Sequence, residues 1–395
     1  MHIPTPRLVL ATAITVSLLT ACGKEAPKPA SNEVVVRIAA AGPLTGGAAE
    51  FGKDSENGVR LAIEEANGKP FTLGGKTVRF ELMSEDDHSD PKLGPTIAQK
   101  LADAKVSGVV GHVTSGVAIP ASAVYNQAGI PMISGSSTSP QLTAQGFNNV
   151  FRTVGRDDQQ GPAMAAYLAN ELKVKQVAII DDATAYGAGL ADQVEKTLAA
   201  AGVKIVGHEA TTDSATDFKA ILTKLKGKGP DVIFYGGMDA TAAPMIRQAR
   251  ELGINAQFAF GDGACGSNMG TLAGPAGEGL LCTQAGIPAA MAAQGFRDAF
   301  KAKFGDARQQ FAPYSYDAAK ILLAAMVKAD SSEPAKYLPK LAETSYDGAT
   351  GHIEFDARGD RKDAEMTIFR MKGGNVEPIA VMKAGKSAPV APAGK

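Results

Sequence analysis

Two short stretches of this chain bring small hydroxyl residues to the end of an apolar run. They are Gly108-Val109-Val110-Gly111-His112-Val113-Thr114-Ser115-Gly116 and Ile130-Pro131-Met132-Ile133-Ser134-Gly135-Ser136-Ser137-Thr138-Ser139-Pro140. Each apolar run reads as a buried parallel strand, and the hydroxyl cluster after it can cap the next helix. Side by side at the carboxyl ends of neighbouring strands, two such corners present converging backbone N–H groups and hydroxyls, which is what a carboxylate needs. The ligand expected there is a small zwitterion. The alternative is that Ser115, Thr138 and Ser137 serve only as N-caps.

Strand and helix alternate around these corners. Strands are expected at 34–40 and 78–83, and helices at 54–67, 91–104 and 119–128. This order predicts a parallel, doubly wound α/β sheet. Val150-Phe151-Arg152-Thr153-Val154 opens a second copy of the architecture. Its helices are expected at 160–172, 190–201, 218–226 and 241–252, and its strands at 177–180, 203–206, 232–235 and 258–260. Helices at 291–304, 316–329 and 333–343 and strands at 352–355 and 367–371 complete the order, and a tail from 384 is expected to be disordered. At 395 residues the chain is too long for one ordinary core.

Lys+Arg 40 against Asp+Glu 41 leaves a net charge of -1 and no basic face, which argues against a nucleic-acid partner. Residues 1–21 read as a signal peptide, with Arg7 before an apolar run at 8–19. Leu19-Thr20-Ala21-Cys22-Gly23 resembles a lipobox, so Cys22 is expected to carry a lipid and 22–33 to act as a tether; ordinary secretion is the alternative. The apolar run is short of the roughly 20 residues that span a bilayer. With Cys22 lipidated, Cys265 and Cys282 remain for a disulfide in an oxidising compartment, or as two buried thiols.

Enzyme chemistry finds little support. Gly135-Ser136-Ser137-Thr138-Ser139 lacks the last glycine of a nucleophile elbow, and no histidine is an evident partner; His112, at a strand end, suits a structural role. Gly187-Ala188-Gly189 lacks the third glycine of a dinucleotide loop. No Cys/His cluster has metal-ligand spacing, and Glu85-Asp86-Asp87 reads as a solvated strand end. No cofactor is expected.

Several runs together resemble the periplasmic solute-binding proteins that serve branched-chain amino acid ABC transporters, the type I periplasmic binding fold. They are Gly42-Pro43-Leu44-Thr45-Gly46, Asp90-Pro91, Gly111-His112, Tyr186-Gly187-Ala188-Gly189-Leu190-Ala191, Tyr235-Gly236-Gly237, Arg247-Gln248-Ala249-Arg250 and Glu278-Gly279-Leu280-Leu281. The resemblance implies two doubly wound lobes joined by three crossings: lobe one at 34–156 plus 286–365, lobe two at 157–285 plus 366–383. It implies a ligand in the cleft between them, a monomeric receptor, and a permease and ATPase complex in the inner membrane as partner. A sensor of the same fold reporting to a membrane receptor is the alternative, as is a solute such as an aromatic acid or an amide.

By the same resemblance, Ser115 and Thr138 hold the ligand's carboxylate and the Ser136 carbonyl meets its ammonium. Asp262 stands where the family has a longer acidic partner for the ammonium; a turn-forming Asp before Gly263 is the plainer reading. Tyr186 covers the ligand, and Phe51 and Phe311 match wall positions. Met238 replaces a tyrosine, and Ser136 and Ser137 replace small apolar residues. Ser89 and Thr114 stand where members often have a disulfide, which cannot form here; the lost tyrosine and the gained hydroxyls make the pocket more polar or differently shaped, so leucine specificity is not implied.

Overall fold

The strand β1 (Glu33–Gly42) alternates between buried and exposed residues at its start and is wholly buried toward its end. That is the signature of a strand entering the middle of a sheet covered on both faces. The computed structural model containing it describes residues 1–2, 33–307, 309–383, 386–388 and 390. Cys22 and nearly all of the expected leader and tether lie outside the described residues.

Strand β1 sits between β3 (Lys76–Asp86) and β4 (Gly108–Gly111), both parallel to it. With β2 (Thr72–Leu73), β5 (Met132–Ser134) and β6 (Val150–Arg152) they form a sheet of order β2-β3-β1-β4-β5-β6. On one face pack α1 (Ala49–Asn67), α11 (Ala312–Ala329) and α12 (Pro334–Ala342), through Val59, Leu322, Met326 and Tyr337 among others. On the other lie α2 (Leu93–Asp103) and α3 (Ser115–Ala128), through Leu101, Ala118 and Tyr125.

The second sheet takes β7 (Gln176–Asp181), β8 (Lys204–Ala210), β9 (Val232–Gly236), β10 (Gln257–Phe260) and β11 (Leu281–Gln284) in parallel. Its helices α5 (Asp157–Ala166) and α6 (Gly187–Ala200) cover one face, and α7 (Lys219–Lys226) and α8 (Asp239–Glu251) the other. The edge beyond β11 is antiparallel, running through β14 (Met366–Lys372), β15 (Asn375–Lys383) and β16 (Lys386–Ala388). Cys265 and Cys282 are joined by a disulfide, Cα atoms 5.5 Å apart, tying the turn after β10 to β11.

Several expectations are corrected. Val150–Arg152 pairs with β5 and closes the first sheet instead of opening the second. Lys386–Ala388, within the tail expected to be disordered, pairs with β15. Helices α1, α3 and α5 start several residues before the expected positions. For α5 the cause is visible: Asp157 and Asp158 fill its first turn, where negative charge is favourable.

The chain passes between the sheets three times, after β6, after β11 and before β14. At the first passage the buried Arg152 places Nε 2.7 Å from Asp360 Oδ1, and Arg156 places Nη1 2.7 Å from Asp360 Oδ2. Burial pushes the Asp360 carboxyl up, but the two guanidiniums outweigh it and hold the group below the usual carboxylate range. This pairing fixes the crossing near residue 153 to the one near residue 360. No helix among the described residues is long and apolar enough to cross a membrane.

Candidate ligand-binding cleft

The hydroxyl corners lie at the carboxyl ends of β4 and β5. After β4 the backbone turns at Thr114 (φ -88, ψ 139) and helix α3 begins at Ser115. The Thr114 side chain makes no capping bond and its hydroxyl is buried without a partner, which corrects the capping expectation for this corner. The first N–H groups of α3 therefore rely on other partners. After β5 the chain does not enter a helix at once; α4 (Gln141–Ala144) begins only after Pro140, and the Gln141 N–H donates to Ser139 Oγ at 3.4 Å.

Within this corner the hydroxyls interlock. Ser115 Oγ accepts from Ser137 Oγ and from the Ser139 N–H, each at 3.2 Å, so its own proton is left to donate. Ser136 Oγ donates to the Val113 carbonyl at 2.9 Å, and the Ser137 N–H donates to Ser134 Oγ at 2.9 Å. Thr138 Oγ1 is buried and meets no partner at full hydrogen-bond geometry, though it acts on the Asp157 carboxyl across the cleft. Such an atom costs about 1–3 kcal/mol if nothing meets it, which marks it as a place for a polar ligand group. Gly135 is required here, because a Cβ would come 2.5 Å from Ser315 Oγ.

Opposite stands an acidic corner built from the second sheet. Asp262 follows β10 and is buried; its Oδ1 accepts from the Tyr186 hydroxyl at 2.6 Å and from Gln160 Nε2 at 2.9 Å. The Tyr186 hydroxyl in turn accepts the Gly263 N–H at 2.8 Å. Gly263 has no room for a side chain, since a Cβ would lie 2.8 Å from the Gly237 carbonyl. Gln160 Nε2 also donates to Asp157 Oδ1 at 3.1 Å, so a second buried acid backs the first. Burial raises both carboxyls, and the neighbouring Asp262 charge raises Asp157 further. Burial, then the two acids, push the Tyr186 hydroxyl well up, which keeps it a donor.

Both corners open on one cavity of about 650 Å³. Ser115, Ser136, Thr138, Tyr186, Asp262, Phe51, Met238 and Phe311 all line it. Ser137 is not among the lining residues; it sits behind Ser115, which it braces. Phe51 and Phe311 form an aromatic wall, ring centroids 5.9 Å apart, in a small apolar cluster with Val113. Ser89 and Thr114 also line the cavity, and both hydroxyls are buried without partners. Asp182 joins the lining, its carboxyl pushed up to about 6 by burial. Among the described residues the lining holds no Lys or Arg.

Asp157 and Gln160 were not singled out in the sequence. The one available sign was the acidic helix start at Asp157-Asp158, which reads equally as a favourable N-terminus. The lobes also touch away from the cavity: Gln309 Nε2 donates to Asn268 Oδ1 at 3.2 Å and to Asp239 Oδ2 at 3.3 Å. His112 is buried between Asp87 (2.7 Å) and Tyr125 (3.0 Å), a structural place. Asp192, Glu195 and His208 bring ligand atoms within 4.8 Å of one another, but His208 spends both ring nitrogens on Glu195 and Asp181.

Comparison with known proteins gives a consistent picture. The sequence profile of the family described as periplasmic binding protein matches residues 35–375. The chain is 34% identical to the leucine-, isoleucine-, valine-, threonine- and alanine-binding protein of Pseudomonas aeruginosa, over 85% of this chain and 89% of that one. Among solved structures, a leucine binding protein LivK from Thermotoga maritima superposes with TM-score 0.82 at 30% identity, covering 88% of this chain and 99% of that one. The branched-chain amino acid transporter substrate binding protein LivJ from Streptococcus pneumoniae, in complex with isoleucine, gives TM-score 0.79 at 28% identity, covering 89% and 100%.

Proposed function

Because the chain belongs to the periplasmic binding protein family, we propose that it captures an α-amino acid between its two lobes and delivers it to an ABC permease. It is a solute-binding protein of the branched-chain amino acid class, in which a leucine-binding and an isoleucine-bound relative share its fold. One observation carries the reading of the site: a hydroxyl and N–H corner from the first sheet and a buried carboxylate from the second face a single cavity.

The division of labour follows from charge. Ser115, Thr138 and the start of α3 offer donors, and a helix N-terminus favours an anion by about 0.3–1 kcal/mol, more when partly buried. Asp262 offers the acceptor that a desolvated ammonium needs. The Ser136 carbonyl shares that ammonium, Tyr186 covers the ligand, and Phe51, Met238 and Phe311 take its side chain. Ser137 supports the site from behind. A ligand that bridges both lobes stabilises closure by contacts available only when they meet. The partly polar wall at Ser89, Thr114 and Ser136 favours a side chain that is not purely aliphatic. The lobes are 34–156 plus 286–365 and 157–285 plus 366–383, and a lipid on Cys22 holds the receptor near its permease.

A thermal-shift screen of L-amino acids, their amides and aromatic acids, followed by calorimetry, tests this. A ligand that binds only the folded state raises the melting temperature. The reading expects L-amino acids to shift it and their α-amides to lose the effect; a response to aromatic acids alone would overturn it.

A further inference from the structure

We propose that Asp157 and Asp262 form one acid pair that holds a proton until an ammonium group replaces it, so that recognition of an amine releases a proton and depends on Asp157, a positioning residue outside the cavity lining. This rests on the amino-acid reading above. The geometry is compact: Gln160 Nε2 donates to Oδ1 of both carboxylates, at 3.1 and 2.9 Å, so a single amide nitrogen bridges them. Asp157 is 0% and Asp262 2% exposed. Two like charges this close and this dry do not both ionise without a cation between them.

Among the described residues, the surrounding groups do not supply that cation. Arg152, from β6, acts on Asp157, but its Nε lies 2.7 Å from Asp360 and its Nη1 donates to the Ser137 and Ser139 carbonyls. Arg156, at the start of α5, is held by Asp158 and Asp360. Tyr186, immediately before α6, is a neutral donor to Asp262. Gln160 Oε1 and Asp157 Oδ2 are buried and meet no donor at full hydrogen-bond geometry among the described residues, although the Thr138 hydroxyl acts on the Asp157 carboxyl across the cleft. That is the arrangement a proton on the pair, or a cation beside it, would satisfy. Burial, reinforced at Asp157 by Asp262, points the same way.

The step balances simply. The pair enters with one proton and one negative charge; the ammonium brings one positive charge, the proton leaves to solvent, and the pair becomes doubly ionised beside the cation. Asp157, Gln160, Tyr186 and Asp262 all stand on elements around the second sheet, while Arg152 and Thr138 face them from the first, so the pair itself persists when the lobes part. The sign follows from linkage: the bound state carries fewer protons, so affinity rises with pH until the pair titrates, by about tenfold per pH unit for one proton.

The test is calorimetry of L-leucine, L-isoleucine and L-valine near pH 7 in buffers of different ionisation enthalpy, on the whole protein and on Asp157→Asn. The expected result is release of about one proton per amino acid bound by the native chain and none by the variant, whose affinity also loses its rise with pH. A merely structural Asp157 would alter affinity but not the proton count. Binding by the native chain without proton release overturns the proposal, and so does undiminished release in the variant. Should the variant not fold, the buffer series on the native chain decides alone. If none of the three binds, the same series is run with whichever L-amino acid raises the melting temperature; if no L-amino acid binds, the functional reading fails and this inference with it.

Discussion

The two ends of the cleft solve opposite problems by opposite means. The hydroxyl end draws its donors from residues close in sequence, with Ser137 and Ser139 reaching Ser115 across the β4 and β5 corners. Its buried hydroxyl facing the acid end, Thr138 Oγ1, is neutral. The acid end gathers Gln160, Tyr186 and Asp262 from three separate elements and buries two carboxylates. Neutral donors can wait for a ligand at small cost, whereas an unpaired buried charge cannot, which is why the acid end is so fully wired.

That difference sets an order of expected effects. The largest belongs to Asp262→Ala, which removes a charge-assisted contact of about 1.5–3 kcal/mol and should weaken amino-acid binding by more than roughly tenfold in calorimetry. An unchanged affinity would remove Asp262 from the site. Thr138→Val comes next: a neutral bond of about 0.5–1.5 kcal/mol predicts a several-fold loss for ligands with an α-carboxylate. Its melting temperature should change little, because Thr138 Oγ1 makes no hydrogen bond of full geometry within the chain. Tyr186→Phe should cost a few-fold, since Asp262 retains Gln160 as a donor while the Gly263 N–H loses its acceptor. Ser137→Ala should cost least, within about threefold, because Ser137 acts only through Ser115. A larger loss for Ser137→Ala than for Thr138→Val would reverse the roles assigned to front and back of the hydroxyl end.

The same contrast explains what could be read in advance. The hydroxyl corners are local patterns, a short apolar run followed by Ser and Thr, and needed no knowledge of the fold. Asp262, Tyr186, Phe51, Met238 and Phe311 stood out only by family resemblance, since an Asp before Gly or an aromatic ring is ordinary anywhere. Asp157 and Gln160 went unnoticed because what makes them significant is a bond spanning 102 residues. The alternation of strands and helices was legible, but not which sheet Val150–Arg152 joins, because local pattern carries no register. Strand β15 was hidden by Pro378, which would break a regular ladder; it sits where the pairing with β14 shifts by a residue.

A crystal structure of the protein grown with L-leucine tests the central claim most directly. The account predicts the carboxylate within hydrogen-bonding distance of Ser115 and Thr138 and the ammonium against Asp262, with the lobes closed around both. Leucine bound elsewhere, or bound with its ends reversed, would contradict it.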